Sequence, residues 1–228
     1  MRKEIIILVA IIVVVIVGMV VGSNYYRRSL QTGTTSNNSS FKSANSQEQL
    51  VRPDSPTLGP TNAPVTIVEF YDPECEACAA FAPIVKKIYN EYGGKVRLVM
   101  RYMPLHPNSV TAATFTEAAG EQGKYWQAQE LLFQKQSEWG QKHGAAASTA
   151  PPNINALFEG YARELGLDRA KAAGAVAENR YGGKIERDKK DGQDLGVRQT
   201  PTFFVNGRKL IQLSEGSLRE LVAAELGK

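Results

Sequence analysis

Apolar positions along the chain fall into one long continuous run, a polar gap, and then a series of short periodic segments. Ile5 to Gly22 is 18 residues without charge or strong polarity, dominated by Ile and Val. A helix needs about 20 apolar residues to cross the hydrocarbon of a bilayer, with a minimum near 17. The run therefore predicts an N-terminal transmembrane helix, with residues 1–4 as a short cytoplasmic end. A cleaved signal peptide is the alternative, although its apolar region is usually about 7–15 residues. Gly18, Gly22 and Ser23 supply the small residues that cleavage needs. Arg2 and Lys3 before the run balance Arg27 and Arg28 after it, so flanking charge does not choose an orientation.

Residues 23–56 are rich in Ser, Thr, Asn and Gln and have almost no apolar side chains. Such a segment cannot offset its ordering entropy and is expected to be a flexible linker. As a coil it spans about 30 Å root-mean-square.

Beyond Leu58 the pattern becomes periodic. Val65–Tyr71 is β-branched and aromatic between two proline-containing turns, and predicts a buried strand. Cys75 to Tyr92 predicts a helix with Phe81, Ile84, Val85 and Ile88 along one side, ended by Gly93-Gly94. Val96–Met103 predicts a second strand. Helical patterns cover 108–136 and 153–195, separated by a loop at 137–152. Thr202–Asn206 and Lys209–Leu213 form a hairpin about Asn206-Gly207, and Ser214 can cap a last helix. Strand–helix–strand favours a parallel pair, to which the hairpin adds antiparallel strands. The order defines an α/β sheet domain, 57–106 and 196–228, carrying an inserted helical domain at 107–195. The run Ile185–Asp194 is dense in charge and reads as a solvated helix face.

The net charge of +4 does not indicate a nucleic-acid partner, because most of it lies in the tail. Residues 1–54 carry six Lys/Arg against three Asp/Glu, leaving 21 against 20 in the remainder. The two cysteines, Cys75 and Cys78, close almost no loop, so a stabilising staple is a poor use for them. At i and i+3 of a helix they share one face, in reach of a disulfide. Cys75 stands where unpaired N–H groups favour an anion, which marks it as the nucleophilic thiolate. Zinc would need four ligands, and only His106 and His143 could join the cysteines. A static disulfide is the other alternative to redox chemistry. Glu69, six residues before Cys75 in the first strand, is expected to be a buried proton donor and acceptor, unless that strand is an exposed edge. Thr200-Pro201 precedes a strand, where proline marks either a cis bond or an ordinary turn. His106 in Met-Pro-Leu-His-Pro reads as a helix-entry or packing residue, with a place lining the active-site side as the alternative; Tyr125, Trp126, Leu131, Leu132 and Phe133 read as core of the insertion, with the border of a substrate groove as the alternative for some.

Pro64-Val65-Thr66-Ile67-Val68-Glu69-Phe70, then Cys75-x-x-Cys78, then Gly196-Val197 and Thr200-Pro201-Thr202-Phe203-Phe204-Val205-Asn206-Gly207 together resemble the DsbA-like thiol–disulfide oxidoreductases. The resemblance spans about residues 56–228. It implies a thioredoxin fold with a helical insertion, Cys75 as attacking thiol, Cys78 as resolving thiol, Glu69 as buried acid and Pro201 as cis-proline. It also implies that the backbone of Thr200 pairs with substrate polypeptide and that Pro83 kinks the active-site helix. No cofactor or metal is implied. The chain departs from the strongest oxidants of the family, which have Pro-His between their cysteines. Here Glu76-Ala77 stands there, with Asp72 and Glu74 upstream. These carboxylates are expected to raise the Cys75 pKa relative to those oxidants and give an intermediate potential.

The expected function is that of a monomeric, single-pass membrane protein that introduces disulfides into exported, reduced polypeptides outside the cytoplasm. Its expected redox partner is a quinone-linked membrane protein of the DsbB or vitamin-K-epoxide-reductase type. The rivals are a reductase or isomerase using the same dithiol, and a redox-inert polypeptide-binding module.

Overall fold

The computed structural model describes residues 44–141 and 153–228, together with Met19. The expected membrane anchor at 5–22, the linker up to residue 43 and most of the 137–152 loop lie outside the described residues. Among the described residues, no helix is long and apolar enough to cross a membrane.

The fold begins earlier than expected. Ala44–Leu50 is a helix, α1, within the stretch read as linker. Its sequence is polar enough to resemble a coil, but Leu50 is only 1% exposed and packs with Val68, Phe70, Val99 and Phe204. One well-placed leucine anchors the helix: removing a buried leucine costs about 2–5 kcal/mol.

Thr57–Leu58 forms β1, Val65–Tyr71 β2 and Val96–Tyr102 β3. β2 and β3 run parallel, from Val65 beside Val96 to Tyr71 beside Tyr102. On its other side β2 pairs antiparallel with β4, Thr202–Val205, and β1 and the short β5, Arg208–Lys209, close the two edges. The strand order is β1-β3-β2-β4-β5. The hairpin is shorter than expected. Its turn uses Asn206 and Gly207, both with positive φ (46° and 80°), a geometry that suits the twist of the flanking strands.

Period-two alternation divides the sheet residues between two faces. Val65, Ile67 and Tyr71 face Cys78, Phe81, Val85 and Ile88 of α2, Glu76–Tyr92, and Leu218 and Val222 of α9, Glu215–Leu226. Pro83 lies inside α2, and the Ser214 hydroxyl caps α9 by accepting from the Ser217 N–H. Val68, Phe70 and Val99 face α1 and the chain at Leu195 and Val197.

The helical insertion consists of α3, Ser109–Gly120, α4, Tyr125–Gln134, α5, Gln136–Trp139, α6, Ile154–Glu164, and α7, Arg169–Ala177. Phe115, Leu131, Leu132, Trp139, Phe158 and Tyr161 fill its core. Tyr125, Trp126 and Phe133 instead pack against the core of the sheet domain. The sheet and the helical insertion lie within one compact unit.

Helix α8, Gly182–Asp194, packs against β3 and α1 and also touches α3 of the insertion. Its Asp188 and Asp191 are buried at 0% and 4% exposure, which corrects the reading of Ile185–Asp194 as a purely solvated face. Arg101 of β3, itself fully buried, explains the burial of both carboxylates. Its Nη2 donates to Asp188 Oδ1 at 2.8 Å and to Asp191 Oδ2 at 2.6 Å, and its Nη1 donates to the Gln49 carbonyl. Arg52 adds a second guanidinium to Asp191 at 2.8 Å. The network joins α1, β3 and α8 on one face of the sheet.

Candidate active site

Cys75 is the N-cap of α2, with an extended backbone (φ −75°, ψ 121°). Its N–H donates to the Asp72 carbonyl and its own carbonyl accepts from Ala79, both at 3.1 Å. Cys78 lies one turn further in and is completely buried, while Cys75 is 8% exposed; both are free thiols. Their environments push the two pKa values apart. A hydrogen bond from the Cys78 thiol leads in lowering Cys75 to about 5, against the opposing effect of burial. The Thr200 hydroxyl and the N–H groups of Cys78 and Ala77 at the open end of the helix lower it further. Burial raises Cys78 well above the ordinary thiol range, aided by its bond to Cys75 and by the charges of Glu69 and Cys75. At neutral pH the pair holds one nucleophilic thiolate and one protonated thiol.

Thr200-Pro201 is a cis peptide bond immediately before β4. Cys75 Sγ lies 3.4 Å from the Thr200 carbonyl oxygen, to which it donates as the protonated thiol, so the antiparallel β2–β4 pairing brings together residues 125 positions apart. Thr202 steadies the loop through its hydroxyl, which donates to the Gln199 carbonyl at 2.7 Å.

Glu69 points to the face that carries α2 and is 3% exposed. Burial, and then the charge of Cys75, push its carboxyl up to about 8. It lies in a groove of about 300 Å³ whose walls include Pro83, Met100, Trp126, Gln129 and Phe133. The structure thus brings Glu69, Cys75, Cys78, Thr200 and Pro201 to one place.

Asp72 and Glu74 lie elsewhere in the bonding scheme than their sequence position suggests. Asp72 Oδ1 accepts the Glu74 N–H at 2.8 Å, and its Oδ2 accepts the Leu105 N–H at 2.7 Å and bonds His106 Nδ1 at 2.7 Å. Glu74 accepts from the Asn108 N–H, the Asn108 side-chain amide and the Gln141 N–H at 2.6–2.8 Å. Both carboxylates stitch the connection before α2 to the connection before α3. A Cys75 pKa near 5 falls between the roughly 3.5 and 7 of a strong oxidant and of thioredoxin. The site contains His106, for which the sequence favours helix entry or packing and keeps the active-site side open. Its backbone N–H does accept that role, donating to Ser109 Oγ at 3.2 Å, but its ring turns to Asp72. The available signal was the pairing of an acid before Pro73 with a histidine before Pro107, which local spacing does not reveal.

The family described as Thioredoxin matches residues 52–224, and the chain belongs to it. The fold is that of the DsbA-like structures. The oxidised BdbD of Bacillus subtilis superposes with a TM-score of 0.64 at 22% identity, over 76% of this chain and 94% of that one. A thioredoxin-like oxidoreductase from Silicibacter pomeroyi gives 0.65 at 25% identity, over 80% and 98%. Alpha-DsbA1 of Wolbachia pipientis gives 0.64 at 21%, over 80% and 98%. By sequence, the Na(+)/H(+) antiporter NhaA 1 of Salinispora arenicola is 38% identical over 155 residues, which is 66% of this chain and 21% of the antiporter. The NhaA of Herminiimonas arsenicoxydans is 33% identical over 152 residues, 67% of this chain and 22% of that protein. The chain thus spans about a fifth of the length of these curated relatives.

Proposed function

We propose that the protein is a thiol–disulfide oxidase that introduces disulfides into reduced polypeptides outside the cytoplasm, as a monomer held to the membrane by its N-terminal apolar run. The observation that carries this reading is the asymmetry of the two thiols beneath Thr200-Pro201: Cys75 near 5 and Cys78 well above the ordinary range. In the oxidised enzyme a substrate thiolate attacks Cys75 Sγ, the Cys75–Cys78 bond breaks, and Cys78 leaves with its electron pair. Glu69, with a carboxyl near 8, supplies the proton that Cys78 takes up. A second substrate thiolate then attacks the substrate sulfur of the mixed disulfide and releases Cys75 as thiolate. The low pKa makes Cys75 the better leaving group of the two, so the second step favours a substrate disulfide. The two electrons gained pass on to a quinone-linked membrane partner of the DsbB or vitamin-K-epoxide-reductase type.

The Thr200 carbonyl, already within 3.4 Å of Cys75 Sγ, is placed to accept a hydrogen bond from the backbone of the substrate segment. A Cys75 pKa that is not at the family's low extreme favours reductase or isomerase use as the second reading. The test is refolding of a reduced, disulfide-requiring protein by the oxidised full-length chain. Acceleration that is lost in Cys75→Ser supports the oxidase. Insulin reduction without oxidative refolding would support the reductase, and activity that survives loss of both cysteines would leave only a polypeptide-binding module.

A further inference from the structure

The stretch between the two cysteines holds Glu76 and Ala77, so no cation stands there. The geometry offers one from another element. We propose that His106, clamped by Asp72, is a further active-site residue: as an imidazolium it stabilises the Cys75 thiolate of the reduced dithiol. The inference rests on Cys75 being the nucleophile of a redox-active pair but not on the direction of electron flow.

Asp72 joins the histidine to the dithiol. Its carbonyl accepts the Cys75 N–H at 3.1 Å, and its Oδ2 holds His106 Nδ1 at 2.7 Å. The Asp72 carboxylate is completely buried and also accepts the backbone N–H groups of Leu105, His106 and Glu74, which fix its orientation. An imidazole bonded through Nδ1 to a fixed carboxylate keeps one ring orientation, so its charge has a defined place relative to the sulfur. His106 is part-exposed, with 31% of its side chain accessible, and can exchange its proton with solvent.

The charges that act on His106 come from Asp72, Cys75 and Glu74, all on the connection between β2 and α2. Its own connection contributes the neutral Ser109 hydroxyl to its backbone N–H. Burial alone would lower the imidazole pKa, but the bond to Asp72 and the charges of Asp72, Cys75 and Glu74 raise it above its ordinary value of 6.5. Cys75 lies near 5, so from about pH 5 to above 6.5 the thiolate and the imidazolium coexist. Asp72, bonded both to the Cys75 N–H and to His106 Nδ1, is the positioning residue, and His106 is the cation it carries. Coupling between two titrating groups is reciprocal. If His106 stabilises the thiolate, the thiolate must raise His106, and a Cys75–Cys78 disulfide, which carries no charge, must not.

The unmodified full-length protein gives the direct test. The two histidines are followed by NMR from pH 5 to 9 in the dithiothreitol-reduced and the oxidised states, with His143→Gln used for assignment. The pKa of His106 is expected to be higher in the reduced state by about half a unit or more. Equal values in both states would overturn the proposal, and this readout needs no active-site variant to fold. In His106→Gln, the pH midpoint for alkylation of Cys75 by iodoacetamide is expected to rise by a similar amount. An unchanged midpoint, whether or not the melting temperature falls, would reduce His106 to a structural role and also overturn the proposal. A protein that forms no Cys75–Cys78 disulfide under any oxidant would instead refute the proposed function, leaving the alkylation profile to judge His106 alone.

Discussion

Glu69 on β2 and Arg101 on β3 are both buried charges on neighbouring strands, but they point to opposite faces of the sheet. Arg101 has two carboxylates and a carbonyl for its guanidinium, and only its Nε lacks an acceptor. Glu69 has no ion-pair partner among the described residues and shares its surroundings with a thiolate, so burial drives it toward the protonated form. Equal burial therefore serves two ends. A charge satisfied on all sides joins elements, whereas one left unpaired beside a reactive group becomes a proton store.

Breaking Arg101 should have the largest effect. Arg101→Ala leaves Asp188 buried without its main partner and is expected to cost about 3–5 kcal/mol of unfolding free energy, measured by urea titration. Glu69→Gln should move stability the other way. The folded carboxyl titrates near 8 and the unfolded one near 4.5, so between these values the folded state holds a proton that the unfolded state has lost. Glu69's own contribution to stability is thus fully present below about pH 4.5 and is lost as pH rises toward 8. The reduced Glu69→Gln protein should lack this slope and gain on the order of 3 kcal/mol at pH 7 relative to it. A parallel slope in both proteins would break the comparison. A smaller change tests the dithiol itself. Thr200→Val removes a hydroxyl that donates to Cys75, and the thiolate absorbance at 240 nm should titrate about one unit higher. The smallest effect belongs to Lys86–Glu130, which joins α2 to α4 at 3.1 Å with both side chains more than half exposed. Lys86→Ala should change stability by less than about 0.5 kcal/mol.

Hydrophobic periodicity placed the elements that bury a continuous stripe. Val65–Tyr71 matches the observed strand end to end, and the helix ending at Tyr92 stops where Gly93 allows a positive φ of 53°. It failed where one residue does the anchoring, as with Leu50 in α1. It also failed where burial depends on a partner far along the chain. Asp188 and Asp191 look like solvent-facing residues until Arg101, about 90 positions away, is placed against them. Cys75, Cys78 and Glu69 were legible because their spacing on one helix and one strand sets their geometry. The Asp72–His106 bond was not, because 34 residues and a strand separate its ends.

The separation of 125 residues between Cys75 and Thr200 also has a kinetic meaning. The strand that carries Thr202–Val205 lies beside β2 in the middle of the sheet but is synthesised well over a hundred residues after it. Pairings of such long range form slowly, since the intervening chain must first be closed into a loop. Until β4 docks, Cys75 lacks the Thr200 hydroxyl that helps hold its thiolate, and Glu69 lacks the cover that raises its pKa. The reactive pair is therefore complete only once β4 has docked against β2.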